Sequence, residues 1–202
     1  MGEPIIAVAA EEGEKLFSAI AVALMKWTRV ELNVNLVFGL LCRIPDNRRV
    51  GAITDGIVSF PIRLSLCDRL LALEGLPELE TEMWTRLSAK ISKHYKKRHE
   101  IAHFNILASP RAGGLAEPML SPFFSYEKWM TQTAKYLSLD QVIERGETFE
   151  ELASAVHWFL TLIAHGMLPE KCPKPSSEEP LLIPRIRASA VQILEERQQS
   201  SQ

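Results

Sequence analysis

The stretch WTRLSAKISKHYKKRHEIAH, residues 84–103, contains neither proline nor glycine, and its apolar residues Trp84, Leu87, Ile91 and Tyr95 recur at spacings of three and four. That periodicity predicts one long amphipathic helix, opened by Pro77 and continuing to about Phe104. Following the same face by sevens from Trp84 through Ile91 reaches Arg98, a charge where the pattern calls for an apolar side chain. An arginine directed at neighbouring helices must be paired or face a cleft, because an unpaired buried charge is strongly destabilising. Glu31 is a matching anomaly inside an apolar stretch, so either Glu31 or Asp68 is expected beside Arg98, orienting it.

Working outward, residues 15–41 hold only a late Gly39, and Leu16, Ile20, Ala23, Trp27, Val30, Val34, Val37 and Leu41 alternate at four and three, again a long helix. Residues 42–55, with Pro45, Asp46, Asn47, Gly51 and the pair Arg48 and Arg49, read as a polar loop. A further helix is expected from Ser59 as cap, with Pro61 just inside, Leu64, Cys67 and Leu71 as its apolar side and Gly75 at its exit. Pro110, Gly113, Gly114, Pro118 and Pro122 make residues 109–122 an irregular loop, long for a compact domain. Residues 125–143 suggest one or two short helices. Thr148-Phe149-Glu150-Glu151 is a capping box opening a long helix with the stripe Phe149, Leu152, Val156, Phe159 and Ile163, ended by Gly166. A proline-rich stretch, 169–184, leads to a last helix at 185–196 and a fraying tail. With no internal repeat and no convincing strand alternation, the chain is expected to be all-α: an antiparallel up-down bundle of four to five helices. It is read as a single domain over 1–202, with its core at about 15–166 and a C-terminal extension at 167–202.

The 202 residues suffice for one core, and 47% hydrophobic with 24% charged residues is ordinary globular usage. A net charge of -2 excludes a global pull toward nucleic acid or anionic membrane, leaving local clustering as the only route to phosphates. Cys42, Cys67 and Cys172 are widely spaced and include no CxxC pair, which argues against a disulfide framework or a thiolate zinc site and fits a reducing cytoplasm. They are expected to be buried small hydrophobes. The opening MGEPII lacks a signal peptide's basic and apolar regions, and the apolar run at 20–25 is too short to span a bilayer, so no membrane association is expected.

Around Arg98 lie Lys90, Lys93, His94, Lys96 and Lys97, a basic run able to attract a phosphate backbone; Lys93, Lys96 and Lys97 are the candidate substrate-binding residues. His103 stands five residues beyond Arg98, a rotation of roughly 140° and a rise of ~7.5 Å along a helix. The two do not stack, but they can flank one phosphate.

The segment Arg98-His99-Glu100-Ile101-Ala102-His103 resembles the motif of the HEPN superfamily: an arginine, a polar residue, and then a histidine late in a long helix of an all-helical chain. The resemblance implies a HEPN-like fold and a metal-independent endoribonuclease with no cofactor, its site built at a homodimer interface from this motif of each protomer. It also implies a setting among toxins or phage-defence effectors, with an antitoxin as a further partner beside RNA. By resemblance Arg98 and His103 are the catalytic pair and His99 matches the polar residue after the arginine. Glu31 matches a polar position of the first helix, and Glu31 and Glu100 are supporting residues. The likeness runs from about residue 15 to 166; the 105–122 loop and the C-terminal extension are not covered. The chemistry is physically sound. A histidine titrating near neutrality can take the 2′-hydroxyl proton of RNA, and an arginine fork can hold the non-bridging oxygens as charge develops on phosphorus.

Three other readings compete. His99-Glu100-Ile101-Ala102-His103 is literally HExxH, the zinc-hydrolase pattern, in which the two histidines bind metal and the glutamate activates water. Its metzincin extension fails at Ile106 and Ser109, and a third ligand would have to be Glu127 or Glu144. A HEPN-type RNA- or protein-binding module without catalysis is the second. The third is a solvated basic helix end meeting the helix dipole, which accounts for the charge but not for Arg98 on the apolar stripe. Outside the motif, His165 reads as a helix C-terminal residue, His157 as surface, and Trp27, Trp84 and Trp158 as core packing.

Overall fold

The computed structural model describes residues 3–110, 116–121, 136–168, 174–175 and 177–200. Among these, six helices and one hairpin follow in the order α1 (Glu3–Leu41), α2 (Asn47–Gly56), α3 (Phe60–Leu73), α4 (Glu78–His103), β1 (Asn105–Pro110), β2 (Ala116–Ser121), α5 (Leu139–Met167) and α6 (Leu182–Ser200). The fold is thus helical, as the periodicities required. It divides into two compact units, Met1–Trp27 with His94–Phe149 and Thr28–Lys93 with Glu150–Gln202.

The second unit is a helical bundle whose core is the set of stripes read from sequence. Val30, Val34, Val37 and Leu41 of α1, Leu64, Cys67 and Leu71 of α3, Trp84, Leu87 and Ile91 of α4, and Leu152, Val156, Phe159 and Ile163 of α5 are all buried. The Trp84 and Phe159 rings lie 5.3 Å apart, and the Trp84 indole N–H donates to Asp68 Oδ1 at 2.7 Å. Glu82 is almost fully buried between Arg86 of its own helix, 2.9 Å away, and Arg197 of α6 at 3.0 Å. Buried that deeply, the carboxylate needs both partners to offset desolvation, which fastens the end of α6 to α4. The last helix is longer than the 185–196 expected from sequence. Pro184 lies in its first turn, where the missing N–H has no intrahelical acceptor to lose.

The polar loop expected at 42–55 is instead largely α2. Asp46 caps it by accepting from the Arg48 N–H at 2.9 Å, and Val50 and Thr54 turn inward, the Thr54 hydroxyl donating to the Val50 carbonyl. Gly51 and the paired arginines masked this helix in the sequence. Gly39 of α1 makes room for it, since a Cβ there would stand 2.4 Å from a Val50 methyl carbon. In an open helix Gly→Ala stabilises by roughly 0.5–1 kcal/mol. At residue 39 the expected sign is reversed, with overpacking costing about 1–3 kcal/mol. Thermal unfolding should show Gly39→Ala destabilised and Gly39→Ala/Val50→Ala relieved of that clash. Ser59 is at the N-cap of α3 as expected, though its side chain makes no capping bond, and Gly75 takes a φ of 64° just beyond the helix exit.

In the first unit Trp27 is the centre. Its ring is 5.1 Å from Phe149, edge-on, and 6.1 Å from Tyr95. Gly146 admits α1 closely, with Ala23 Cβ only 3.3 Å from where a side chain would begin. That glycine does not break the helix. The capping box expected at Thr148 is not used, because the Thr148 hydroxyl donates to the Glu144 carbonyl within α5. The true cap is nearly three turns upstream, where Ser138 N–H donates to Gln141 Oε1 at 3.0 Å and Gln141 N–H to Ser138 Oγ at 3.3 Å, a reciprocal box with glutamine in the acidic position. The short helices expected at 125–143 lie outside the described residues up to 135, and from Leu139 they are part of α5.

The irregular loop expected at 109–122 is corrected to a hairpin, β1 pairing antiparallel with β2 from Asn105↔Ser121 to Pro110↔Ala116. Leu120 exchanges both backbone hydrogen bonds, each 2.9 Å, with Leu137 on its far side. Backbone groups alternate along a strand, so Pro118, two residues before Leu120, also faces away from β1. Its partner Ala108 and then Pro110 likewise occupy non-hydrogen-bonded positions. The prolines that suggested a breaker therefore cost the ladder nothing.

Candidate functional site

The motif closes α4 in the first unit. Counting about 100° per residue, Arg98 continues the buried face, His99 and His103 share one exposed side with Lys96, Glu100 borders that side about 60° from His103, and Lys97 falls between Glu100 and the buried face. Burial follows this division: Ile101 is buried, Arg98, Glu100 and Lys97 are half-buried, and Lys96, His99 and His103 are exposed. The imidazoles of His99 and His103 lie 4.2 Å apart, centroid to centroid, at the helix terminus.

Arg98 is off-pattern in the structure as in the sequence. Its Nε is buried without a hydrogen-bond partner, and no ion pair to its guanidinium occurs among the described residues. The carboxylates expected beside it, Glu31 and Asp68, belong to the second unit. Glu31, in the second unit, is bound by Arg63 at 3.2 Å, and Asp68 accepts from Trp84. Lys93 is exposed and also belongs to the second unit, while Lys96, Lys97, Arg98, His99, Glu100 and His103 lie together in the first.

Glu100 has a partner the sequence reading did not anticipate. Arg145 of α5 donates to Glu100 Oε2 at 2.6 Å and to the Lys97 carbonyl at 3.2 Å. Arg145 keeps 16% of its side-chain exposure and Glu100 40%, so the pair is shielded more than a surface bridge. Beside it Lys97, Gln141, Glu144, Arg145 and Thr148 line a small polar cavity of about 170 Å³. Nothing in the sequence singles out Arg145, which falls between the helices expected at 125–143 and from Thr148 and stands 45 residues from its partner.

The zinc pattern fares less well. The two histidines are adjacent, but Glu100, which would activate water, is turned to Arg145, and no group of three or more His, Cys, Asp or Glu side chains able to hold a metal occurs among the described residues. Glu144 lies on the cavity wall with Lys97 and Arg145, and Glu127 is outside the described residues. No family model matches this chain, and no curated protein or solved structure does either.

Of the remaining candidates, Trp27, Trp84 and Trp158 are core, His157 is exposed, and His165 stands in the last turn of α5. The cysteines differ from expectation: Cys67 is buried but Cys42 is exposed, and Cys172 lies outside the described residues. Burial pushes the Cys67 thiol up to about 12, with Asp68 and Cys42 adding to the effect. Since the thiolate is the reacting form, alkylation of the native protein at pH 8 is expected to label Cys42 and spare Cys67, read by peptide mass analysis. No helix among the described residues is long and apolar enough to cross a membrane.

Proposed function

We propose that this chain is a metal-independent endoribonuclease of the HEPN type. The observation that carries the reading is Arg98, a half-buried cation on the core-facing side of α4 whose Nε has no protein partner. Such a group invites an anion, and the neighbouring exposed side chains are two histidines and a lysine, the set suited to a phosphodiester. His103 removes the proton of the ribose 2′-hydroxyl, and the resulting oxygen attacks phosphorus in line. Arg98 holds the non-bridging oxygens as negative charge builds. The P–O5′ bond breaks, leaving a 2′,3′-cyclic phosphate on one fragment. The departing 5′-oxygen takes a proton from His99 or from the partner's His103, giving a 5′-hydroxyl and a chemical reason for a homodimer.

Lys96 lies on the histidine side of the helix and is the best placed of the three lysines to meet the RNA backbone. Lys97 and Lys93 contribute to attraction at longer range. A role as a toxin or phage-defence effector restrained by an antitoxin belongs to the same reading. RNA cleavage by the pure protein in excess EDTA tests it. Binding without cleavage assigns a non-catalytic module, and cleavage restored only by zinc assigns a metallohydrolase.

A further inference from the structure

The last turns of α4 carry every residue the proposed chemistry uses, yet they precede a hairpin and have no helical continuation to hold them. Helix ends fray unless their carbonyls and side chains are tied down. Arg145 is the tie. One of its nitrogens donates to both the Glu100 carboxylate and the Lys97 carbonyl, so a single guanidinium bridges two residues three apart on the motif's flank from a neighbouring helix. The carbonyl of Lys97 already accepts from the N–H of Ile101 in helical register, and Ile101 is buried. The backbone turn enclosing Arg98 is therefore fixed on one side by burial and on the other by charge-assisted hydrogen bonds.

Arg145 is itself held firmly. It is mostly buried, and the next residue, Gly146, lies against Ala23, so α5 cannot shift at this point without a clash. The clamp grips α4 on the flank formed by Lys97 and Glu100, beside the face of His99 and His103, and leaves both histidines exposed while setting the turn they stand on. It also supplies a cation to the one carboxylate of the motif, which would otherwise lie uncompensated within two residues of Arg98.

We propose that Arg145 is a positioning residue for the site: through Glu100 and the Lys97 carbonyl it fixes the final turns of α4 and with them the setting of Arg98 and His103. This rests on the ribonuclease reading for its catalytic consequence, and on the structure alone for the clamp.

The test compares the full chain with Arg145→Ala, Glu100→Ala and the double variant, by amide hydrogen exchange and RNA cleavage. In Arg145→Ala, exchange across residues 97–103 is expected to rise about tenfold while residues 84–91 stay unchanged, as for loss of a local tie rather than of the fold. Cleavage is expected to lose up to about 10² in kcat with KM little altered, the cost of a small misplacement. The double variant should be no worse than the more damaged single one, because both remove the same contact. Arg145→Lys, which keeps the charge and one donating nitrogen on a shorter stem, should recover part of kcat. Unchanged exchange at 97–103 in Arg145→Ala, exchange raised equally along all of α4, no recovery at all with lysine, or multiplying effects in the double variant would each overturn the proposal. If the parent protein cleaves no RNA, the ribonuclease reading fails by itself, and the exchange data still decide whether the clamp exists.

Discussion

His103→Ala is expected to lower RNA cleavage by about 10²- to 10⁴-fold, the usual contribution of a general base. The fold should be untouched, because His103 is exposed in the last turn of α4 and its ring contact is with the equally exposed His99. Its removal takes away a favourable interaction between a basic residue and the helix C-terminus, worth about 0.3–1 kcal/mol when charged, so melting shifts by a degree or few at most. RNA affinity should fall far less than the rate, since Arg98 and Lys96 remain. Single-turnover cleavage beside a binding titration separates the two quantities. A His103→Ala protein that cleaves at the parent rate would remove the histidine from the mechanism.

The second large effect concerns Arg98, and it has opposite signs in stability and activity. Arg98→Met keeps the aliphatic stem on the buried face but removes a guanidinium whose Nε is buried without a partner. Leaving a buried polar group unsatisfied costs about 1–3 kcal/mol, so the variant should be as stable as the parent or more so, by thermal or urea unfolding. Cleavage should fall by about 10²–10³, the typical loss when a group stabilising transition-state charge is removed. A residue kept for folding behaves the other way, losing stability on substitution. Were Arg98→Met clearly destabilised and still active, the arginine would be structural and the reading of the site would collapse.

Both predictions rest on features already legible in the sequence, and the reason is physical. The stripes of α1, α3, α4 and α5 could be read because each helix buries one continuous face, so periodicity and burial carry the same information. Arg98 was visible because it violates that periodicity. The misreadings share a different cause. The helix α2 is short, charged and interrupted by Gly51, and it is made by Asp46 at its start and by the space that Gly39 leaves, a fact about another helix. Pro110 and Pro118 look like breakers in one dimension but occupy non-hydrogen-bonded positions of β1 and β2, which only the pairing register reveals. Ser138 with Gln141 is the box that caps α5, whereas Thr148, a locally better match to the pattern, lies inside a helix already begun.

At the site the same boundary holds. The identity of Arg98, His99 and His103 as a group could be read from one turn of helix, whereas their carboxylate partners could not. The partners that Glu31 and Asp68 have within the second unit, Arg63 at 3.2 Å and Trp84 at 2.7 Å, carry no mark in the sequence. Arg145 has no local mark that distinguishes it from other helix-borne cations, and only the packing of α5 on α4 gives it a role. Charge pairing depends on which chain segments meet, and a single sequence does not carry that.

The central claim is that these residues cleave RNA through the 2′-hydroxyl, without a metal. Its most direct test is the chemistry of the fragment ends after incubation with RNA in excess EDTA. Fragments bearing 2′,3′-cyclic phosphates and 5′-hydroxyls are the result the account predicts; 3′-hydroxyls with 5′-phosphates, or cleavage that EDTA abolishes, would contradict it.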